Sequence, residues 1–245
     1  MDTKIRSLKI EAGEAKNLSE LCQRLVETYG AGLVSIIAYG SSVAGGYEPR
    51  ISDINLVLVL QRAGLEQIRK AAPLIKRSGL KLSLRFFDPG SLEALAEAYP
   101  LELRDMQIAH VLIHGRDVLS ELDLDAESVR RECRRALTGV ATRIRHQALA
   151  AGDDAKALAA LASDTLRAIL AVFRHLLRLE GKQIPASKED LIKMAASDYR
   201  FDSQPFLRVL ALRGESASNA EIAQAFADCF EAVQSIAARA GEIVK

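Results

Sequence analysis

Two apolar runs separated by a glycine-containing loop are the feature of the sequence that most restricts its fold. The first run, Leu33–Tyr39, stops at Gly40, and the second extends from Asp53 to Leu60. Runs of this length that are rich in Val, Ile and Leu and bounded by Gly and Ser are typical of buried strands. We therefore expect a hairpin of two buried β-strands at the centre of the domain.

The turn after the first run has phosphate-binding chemistry. Gly40, followed by Ser41 and Ser42, lets backbone N–H groups approach a phosphate closely, and the hydroxyls add hydrogen-bond donors. Asp53 and Asn55 stand two apart on the second strand, so their side chains are expected on the same face. A phosphate-binding turn beside two oxygen-bearing side chains is what a metal–nucleotide site needs.

This motif, Gly-Ser, then a loop, then Asp-x-acid at the start of a strand, resembles the signature of the nucleotidyltransferase superfamily, which has the polymerase-beta-like fold. The resemblance implies that Gly40 and Ser41, with Ser42 beside them, bind the phosphates of a nucleoside triphosphate. It also implies that Asp53 is the first catalytic acid and a Mg²⁺ ligand. Asn55 stands where the family has a second acid, and a third is expected on a later strand.

The third acid is not evident in the sequence. On the predicted strand Lys81–Phe87, the positions that alternate with the apolar ones are a lysine, a serine and an arginine. Asp88 follows this strand, but its Asp-Pro-Gly context is typical of a turn-capping residue. Glu102 and Asp105 share a face of a predicted helix and are candidate stand-in acids, although solvent exposure explains them equally well.

Strands and helices alternate up to Glu121, and only helical periodicity follows. This pattern predicts an α+β or α/β fold, with a nucleotidyltransferase-like mixed sheet and flanking helices over residues 1–121. An antiparallel helical bundle is predicted over residues 122–245. The order of the two domains resembles small-molecule nucleotidyltransferases of the aminoglycoside and lincosamide type.

Composition indicates an ordinary globular protein, with 49% hydrophobic and 27% charged residues. The 33 basic and 32 acidic residues nearly cancel, so no overall field favours nucleic acid or a membrane as partner. Cys22, Cys133 and Cys229 lie far apart without a CxxC spacing, which indicates neither zinc nor disulfides and fits a cytoplasmic location. The charged N-terminus lacks the apolar segment of a signal peptide.

Two weaker features leave alternatives open. Arginines make the first bundle helix basic, either as a phosphate- or RNA-binding ridge or, by default, as a solvated face paired to Glu127 and Glu132. These arginines are Arg130, Arg131, Arg134, Arg135, Arg143 and Arg145. His110 and His114 are four apart near a short strand and are expected to share a face as ordinary polar residues.

Two functions remain open from the sequence. In the first, the protein binds nucleotide at the Gly40-Ser41 turn, and metal-dependent nucleotidyl transfer is weak or lost, as in a pseudoenzyme. In the second, an active enzyme transfers a nucleoside monophosphate from the triphosphate to a small-molecule or protein acceptor, using Mg²⁺. The missing carboxylate at Asn55 favours the first, because Mg²⁺ prefers anionic oxygen ligands. The aliphatic bundle suggests a homodimer.

Overall fold

The computed structural model of the chain describes residues 1–49, 51–212 and 217–244. It forms two compact units, Met1–Leu124 and Asp125–Lys245. The sequence placed the boundary between them at Glu121. Arg50 in the loop after the first strand, residues 213–216 and residue 245 lie outside the described residues.

The first unit alternates helices with the strands of one sheet. In chain order its elements are α1 (Asp2–Ile5), α2 (Ala12–Tyr29), β1 (Leu33–Tyr39), α3 (Ser41–Ala44), β2 (Ile54–Leu60), α4 (Leu65–Ser78), β3 (Leu82–Phe87), α5 (Pro89–Ala98), α6 (Pro100–Ile108), β4 (His110–Gly115) and α7 (Val118–Glu121). The two apolar runs are therefore β1 and β2, as predicted.

The sheet has four strands in the order β3-β2-β1-β4. β1 runs antiparallel to both β2 and β4, whereas β2 and β3 are parallel and are connected through α4. A parallel pair requires such a crossover, while an antiparallel pair can be joined by a loop. The sequence predicted this mixed sheet with flanking helices.

Helices cover both faces of the sheet. Alternate strand residues such as Ile36 and Leu56 pack against α2 and α4, while their neighbours Ile37 and Val57 pack against α5, α6 and α7. Successive residues of a strand point to opposite faces, so one apolar run serves both cores. Along β2 the one polar side chain, Asn55, consequently lies at the strand end, while β1 also carries the fully buried Ser35.

Two local features differ from the predicted elements. The spacing of apolar residues predicts a helix from Asn17 to Thr28, whereas α2 begins at Ala12. Glu11 and Glu14 cap each other's backbone N–H groups there, with Glu11 N to Glu14 Oε2 at 3.0 Å. After Gly40 the chain forms the single helical turn of α3 instead of a simple tight turn. Glutamate is an uncommon N-cap residue, so the start of α2 is not evident from the sequence pattern.

The prediction that His110 and His114 share a face is wrong. A β-bulge in β4 pairs His110 with Tyr39 but His114 with Ile36. Ile36 belongs to the core under α2 and α4, whereas Tyr39 packs against the opposite core. One extra residue in a strand inverts the alternation beyond it, which spacing along the sequence cannot reveal.

The second unit is entirely helical within its described residues. Its helices are α8 (Ala126–Ala151), α9 (Ala155–Leu179), α10 (Lys188–Tyr199), α11 (Gln204–Ala211), α12 (Asn219–Ala238) and α13 (Ala240–Ile243). The three long helices α8, α9 and α12 pack on one another, and a short turn at Gly152 reverses the chain between the first two. The predicted antiparallel bundle is confirmed.

Arginines of α8 pair along their own helix. Arg134 Nη2 lies 3.0 Å from Glu127 Oε1, Arg135 Nε lies 2.6 Å from Glu132 Oε2, and Arg131 Nη2 donates to Ser128 Oγ at 2.8 Å. These contacts are those of the solvated, paired face, which was the default alternative for these arginines. Across the described ranges, no helix is both long enough and apolar enough to cross a bilayer.

All three cysteines are buried and free, which predicts protection from thiol reagents. Burial raises the pKa of Cys22, Cys133 and Cys229 from 9.0 to about 12, the last two lying in the second unit. Because thiolate is the reactive form, maleimide labelling at pH 8 should be negligible in native buffer and rise only as urea unfolds each unit.

Variants that retain a single cysteine distinguish the two units, since Cys22 reports on the first and Cys133 or Cys229 on the second. The raised thiol pKa values also contribute stability that is fully present below pH 9 and lost as pH rises towards 12. Rapid labelling of any of these thiols in native buffer would contradict the burial.

Candidate functional site

The turn after β1 is built around Gly40. Its φ of 78° lies in the region that favours glycine, and its N–H donates to the Ala109 carbonyl at 3.3 Å. A Cβ atom at this position would lie 2.7 Å from Asn55 Nδ2. The Asn55 amide therefore packs directly on the Gly40 backbone, so the structure brings together the predicted phosphate-binding turn and the position of the second acid.

The two serines of the turn have different environments. Ser42 is fully buried; its hydroxyl donates to the Tyr39 carbonyl at 3.4 Å, and its own carbonyl accepts from the Lys9 N–H at 2.7 Å. Ser41 is only partly buried, and its hydroxyl makes no hydrogen bond to a residue within the described ranges. In this conformation Ser42 fixes the turn and Ser41 offers the accessible hydroxyl.

A row of polar side chains crosses the sheet beside this turn. Asn55 of β2 pairs with Ser83 of β3 on one side and with Tyr39 of β1 on the other, and Tyr39 pairs in turn with His110 of β4. Directly paired residues project to the same face of a sheet. Sequence analysis did not identify Tyr39, Ser83 or His110 as site residues, because only the strand register places them in one row.

Asp53 immediately precedes β2, and its nearest charged partner is Lys81 at the start of β3. Lys81 Nζ lies 3.2 Å from Asp53 Oδ1 and 2.5 Å from the Ile51 carbonyl. Lys81 and Asp53 are close enough to form an ion pair, but the geometry does not make a hydrogen bond to Asp53 Oδ1. Both side chains are about half exposed, at 57% and 43%, so the pair contributes at most about 1 kcal/mol. The first predicted acid thus faces a cation.

Arg85 forms a second charged contact, two residues after Ser83 on the same face of the sheet. It lies on β3 beside Val57, forms an ion pair with Glu102 of α6, and hydrogen-bonds the Tyr39 hydroxyl. Burial raises the pKa of Tyr39, and the charge of Arg85 only partly offsets this rise. The carboxylate of Glu102, one of the two candidate stand-in acids, is therefore already engaged by a guanidinium.

Asp88 caps a helix, as its sequence context predicted. It is the N-cap of α5 and accepts a hydrogen bond from the Ser91 N–H at 2.9 Å. Hydrogen bonds from Ser91, and then from the Ala63 N–H, lower the pKa of Asp88. This carboxylate therefore stabilises the first turn of α5.

His110 and Asp117 form a polar pair at the end of the row. His110 Nε2 lies 3.1 Å from both carboxylate oxygens of Asp117, and its Nδ1 lies 3.0 Å from the Gln107 carbonyl. Burial of Asp117 opposes ionisation, but hydrogen bonds from His110 and Ser120 outweigh it and lower the pKa of Asp117. Asp117 also caps α7 through Ser120, so the pair fixes the end of β4 relative to that helix.

These residues do not fit a pair of Mg²⁺ ions. Two-metal sites need several converging carboxylates, and the described part of the chain has no group of three or more His, Cys, Asp or Glu able to hold a metal ion. Asn55 supplies a neutral amide, and Asp53 faces Lys81. Two residues after Ser83, on the same face of β3, the side chain is that of Arg85. The donor set is cationic where the superfamily motif implies carboxylates.

Comparison with known proteins gives matches in structure but not in sequence. No family model and no curated protein matches the chain. A spectinomycin adenyltransferase from Enterococcus faecialis, solved with ATP and spectinomycin, is 18% identical, with a TM-score of 0.47 over 87% of this chain and 98% of that one.

A nucleotidyltransferase-like protein from Exiguobacterium sibiricum 255-15 is 14% identical, with a TM-score of 0.38 over 92% of this chain and 78% of that one.

The contact between Gly40 and Asn55 predicts a stability difference between two glycines. Gly40→Ala introduces both an unfavourable φ and a clash with Asn55, whereas Gly45→Ala at φ 97° introduces the φ alone, since no atom lies within 4 Å. We expect Gly45→Ala to lower the free energy of unfolding by about 1–2 kcal/mol, and Gly40→Ala to lower it by a further ~1–3 kcal/mol. Urea unfolding measures both changes.

Asn55→Ala in the Gly40→Ala background should recover the additional loss and leave the part caused by φ. The double-mutant cycle therefore isolates the contact between the turn and Asn55. Equal losses for the two glycine variants, or no recovery in the double variant, would show that Asn55 does not pack on the turn.

Proposed function

We propose that this chain is a nucleotide-binding protein with a nucleotidyltransferase-like fold, in which metal-dependent nucleotidyl transfer is weak or lost. The observation that supports it most is the arrangement beside Gly40. There, the Ser41 hydroxyl is accessible and Asn55 packs on the turn. Lys81 lies just before the neighbouring strand β3, and Arg85 lies on that strand. Hydroxyl and cationic donors next to a glycine turn suit a phosphate chain.

The two cations are available to a ligand even though each has an acidic partner. The side chains of Lys81 and Asp53 are 57% and 43% exposed, and those of Arg85 and Glu102 are 39% and 37% exposed. Ion pairs in contact with water contribute little stability, so exchanging a carboxylate for a phosphate costs little. A guanidinium also presents two parallel N–H donors to a pair of phosphate oxygens, a planar geometry that an ammonium group lacks.

The same residues argue against efficient transfer. Displacement of pyrophosphate needs metal ions that hold the attacking and leaving oxygens, and carboxylates must hold the metals. Asn55 and Arg85 provide no negative charge for this purpose. The alternative, an active enzyme that transfers a nucleoside monophosphate to a small-molecule or protein acceptor, would require a second carboxylate beside Asp53.

Nucleotide affinity should accordingly depend on Lys81 and little on magnesium. In calorimetric titrations with ATP, we expect dissociation constants in EDTA and in Mg²⁺ to agree within about threefold. Lys81→Gln should weaken binding about tenfold, the loss of one charge-assisted hydrogen bond. Lys70→Gln is the matched control, because Lys70 forms a similar exposed ion pair with Glu66, at 3.4 Å on α4. Tight binding that strictly requires Mg²⁺ would favour the enzyme alternative.

Restoring negative charge should create metal affinity. We expect Asn55→Asp to strengthen Mn²⁺ binding and Asn55→Asp with Lys81→Met to strengthen it further, because the second change frees Asp53 from its cation. Electron paramagnetic resonance titration of Mn²⁺ measures both effects. Asn17→Asp adds the same charge on α2 and serves as control. If Asn55→Asp folds normally but binds Mn²⁺ no better than the control, the proposed ion position is wrong.

A further inference from the structure

The second unit contains a cavity of about 390 Å³ that the proposed nucleotide site does not involve. Part of its wall is apolar, formed by Leu176 and Leu179 of α9 and by Ile243 and Val244 near the end of the chain. Its volume lies in the range of cavities that bind small organic ligands. The rest of its wall is charged, and the balance of those charges indicates what it could bind.

Each acid of the cavity has a neighbouring donor. Lys182 Nζ lies 3.2 Å from Glu180 Oε2 and 2.6 Å from Asp198 Oδ2, and the Tyr199 hydroxyl donates to Glu180 at 3.0 Å. The third acid, Glu242, pairs with Arg239 at 3.3 Å. Each carboxylate therefore has a partner, although Glu180 and Asp198 share Lys182. Counted with Lys182, the three arginines of the wall exceed its three acids by one positive charge.

The other two arginines of the wall are Arg130 of α8 and Arg200, which follows α10. Neither side chain forms an ion pair or hydrogen bond with a residue within the described ranges, whereas Arg239 donates to the carbonyls of Tyr199 and Arg200, at 3.3 and 2.9 Å. A guanidinium that borders an apolar cavity without a partner is a site for an anionic oxygen pair.

Arg200 has an unfavourable backbone conformation at this position. Its φ of 53° is the only positive φ of a non-glycine residue in the described chain, at the C-terminal end of α10, where glycine is strongly favoured. Its carbonyl is held there by Arg239 Nη1. The left-handed region is unfavourable for an arginine backbone. Such outliers concentrate at functional sites, so Arg200 is a candidate ligand-binding residue of the cavity.

We propose that this cavity binds a small organic anion, with a carboxylate or phosphate group held by Arg130 and Arg200 and an apolar body against Leu176 and Ile243. The volume suits a compact ligand rather than a nucleoside triphosphate with its full phosphate chain. Binding here is independent of the nucleotide site proposed in the first unit.

Calorimetric titration with phenyl phosphate, benzoate and benzyl alcohol tests this assignment on the full chain. Phenyl phosphate or benzoate should bind, and neutral benzyl alcohol of similar size should bind at least tenfold more weakly. Arg130→Gln and Arg200→Gly should each weaken binding of the anion at least tenfold. Arg145→Gln on the exposed face of α8 is the control and should bind like the unchanged protein.

Arg200→Gly separates loss of binding from loss of fold. Glycine suits a φ of 53°, so this variant should melt at the same temperature as the unchanged protein or higher, while it loses affinity for the anion. The proposal is overturned if none of the anions binds, if the two arginine variants bind as well as the control, or if benzyl alcohol binds equally. It is also overturned if Lys81→Gln rather than the arginine changes abolishes binding.

Discussion

Burial of β2 on both faces is the constraint on which the rest of the first unit depends. Residues 56–60 are almost entirely shielded from solvent, because α2 and α4 cover one face and α5 to α7 cover the other. A polar side chain in the middle of such a strand is costly unless a buried hydrogen-bond partner satisfies it. Polar chemistry is therefore concentrated at its beginning, where Asn55 packs on Gly40 and Asp53 meets Lys81.

Charge at this strand end determines which chemistry the fold can support. A carboxylate at position 55 would repel Asp53 and require a divalent ion between them, whereas an amide imposes no such requirement. Lys81 and Arg85 then supply positive charge from the protein itself. Fixed cations can attract phosphates, but they cannot activate an attacking oxygen as a bound metal does. The proposed binding without efficient transfer rests on this replacement of metal charge by side-chain charge.

The sequence revealed the parts of the structure that depend on local chemistry. The apolar runs predicted β1 and β2, and the Asp-Pro-Gly context predicted the capping role of Asp88. It could not reveal the row from Ser83 to His110, because the register between strands distant in sequence places those side chains together. The bulge in β4 shifts that register by one residue, which no spacing rule anticipates.

The two units balance their charges in different ways, and this difference separates the two proposed sites. In the first, Lys81 and Arg85 rest on exposed acids that a polyanion can replace at little cost. In the second, Lys182 and Arg239 already satisfy the acids of the cavity, and Arg130 and Arg200 are left beside an apolar wall. An open cationic strand end suits an extended phosphate chain, whereas a bounded, half-apolar cavity selects a compact anion. Charge alone would not distinguish these ligands, but the apolar surface beside it does.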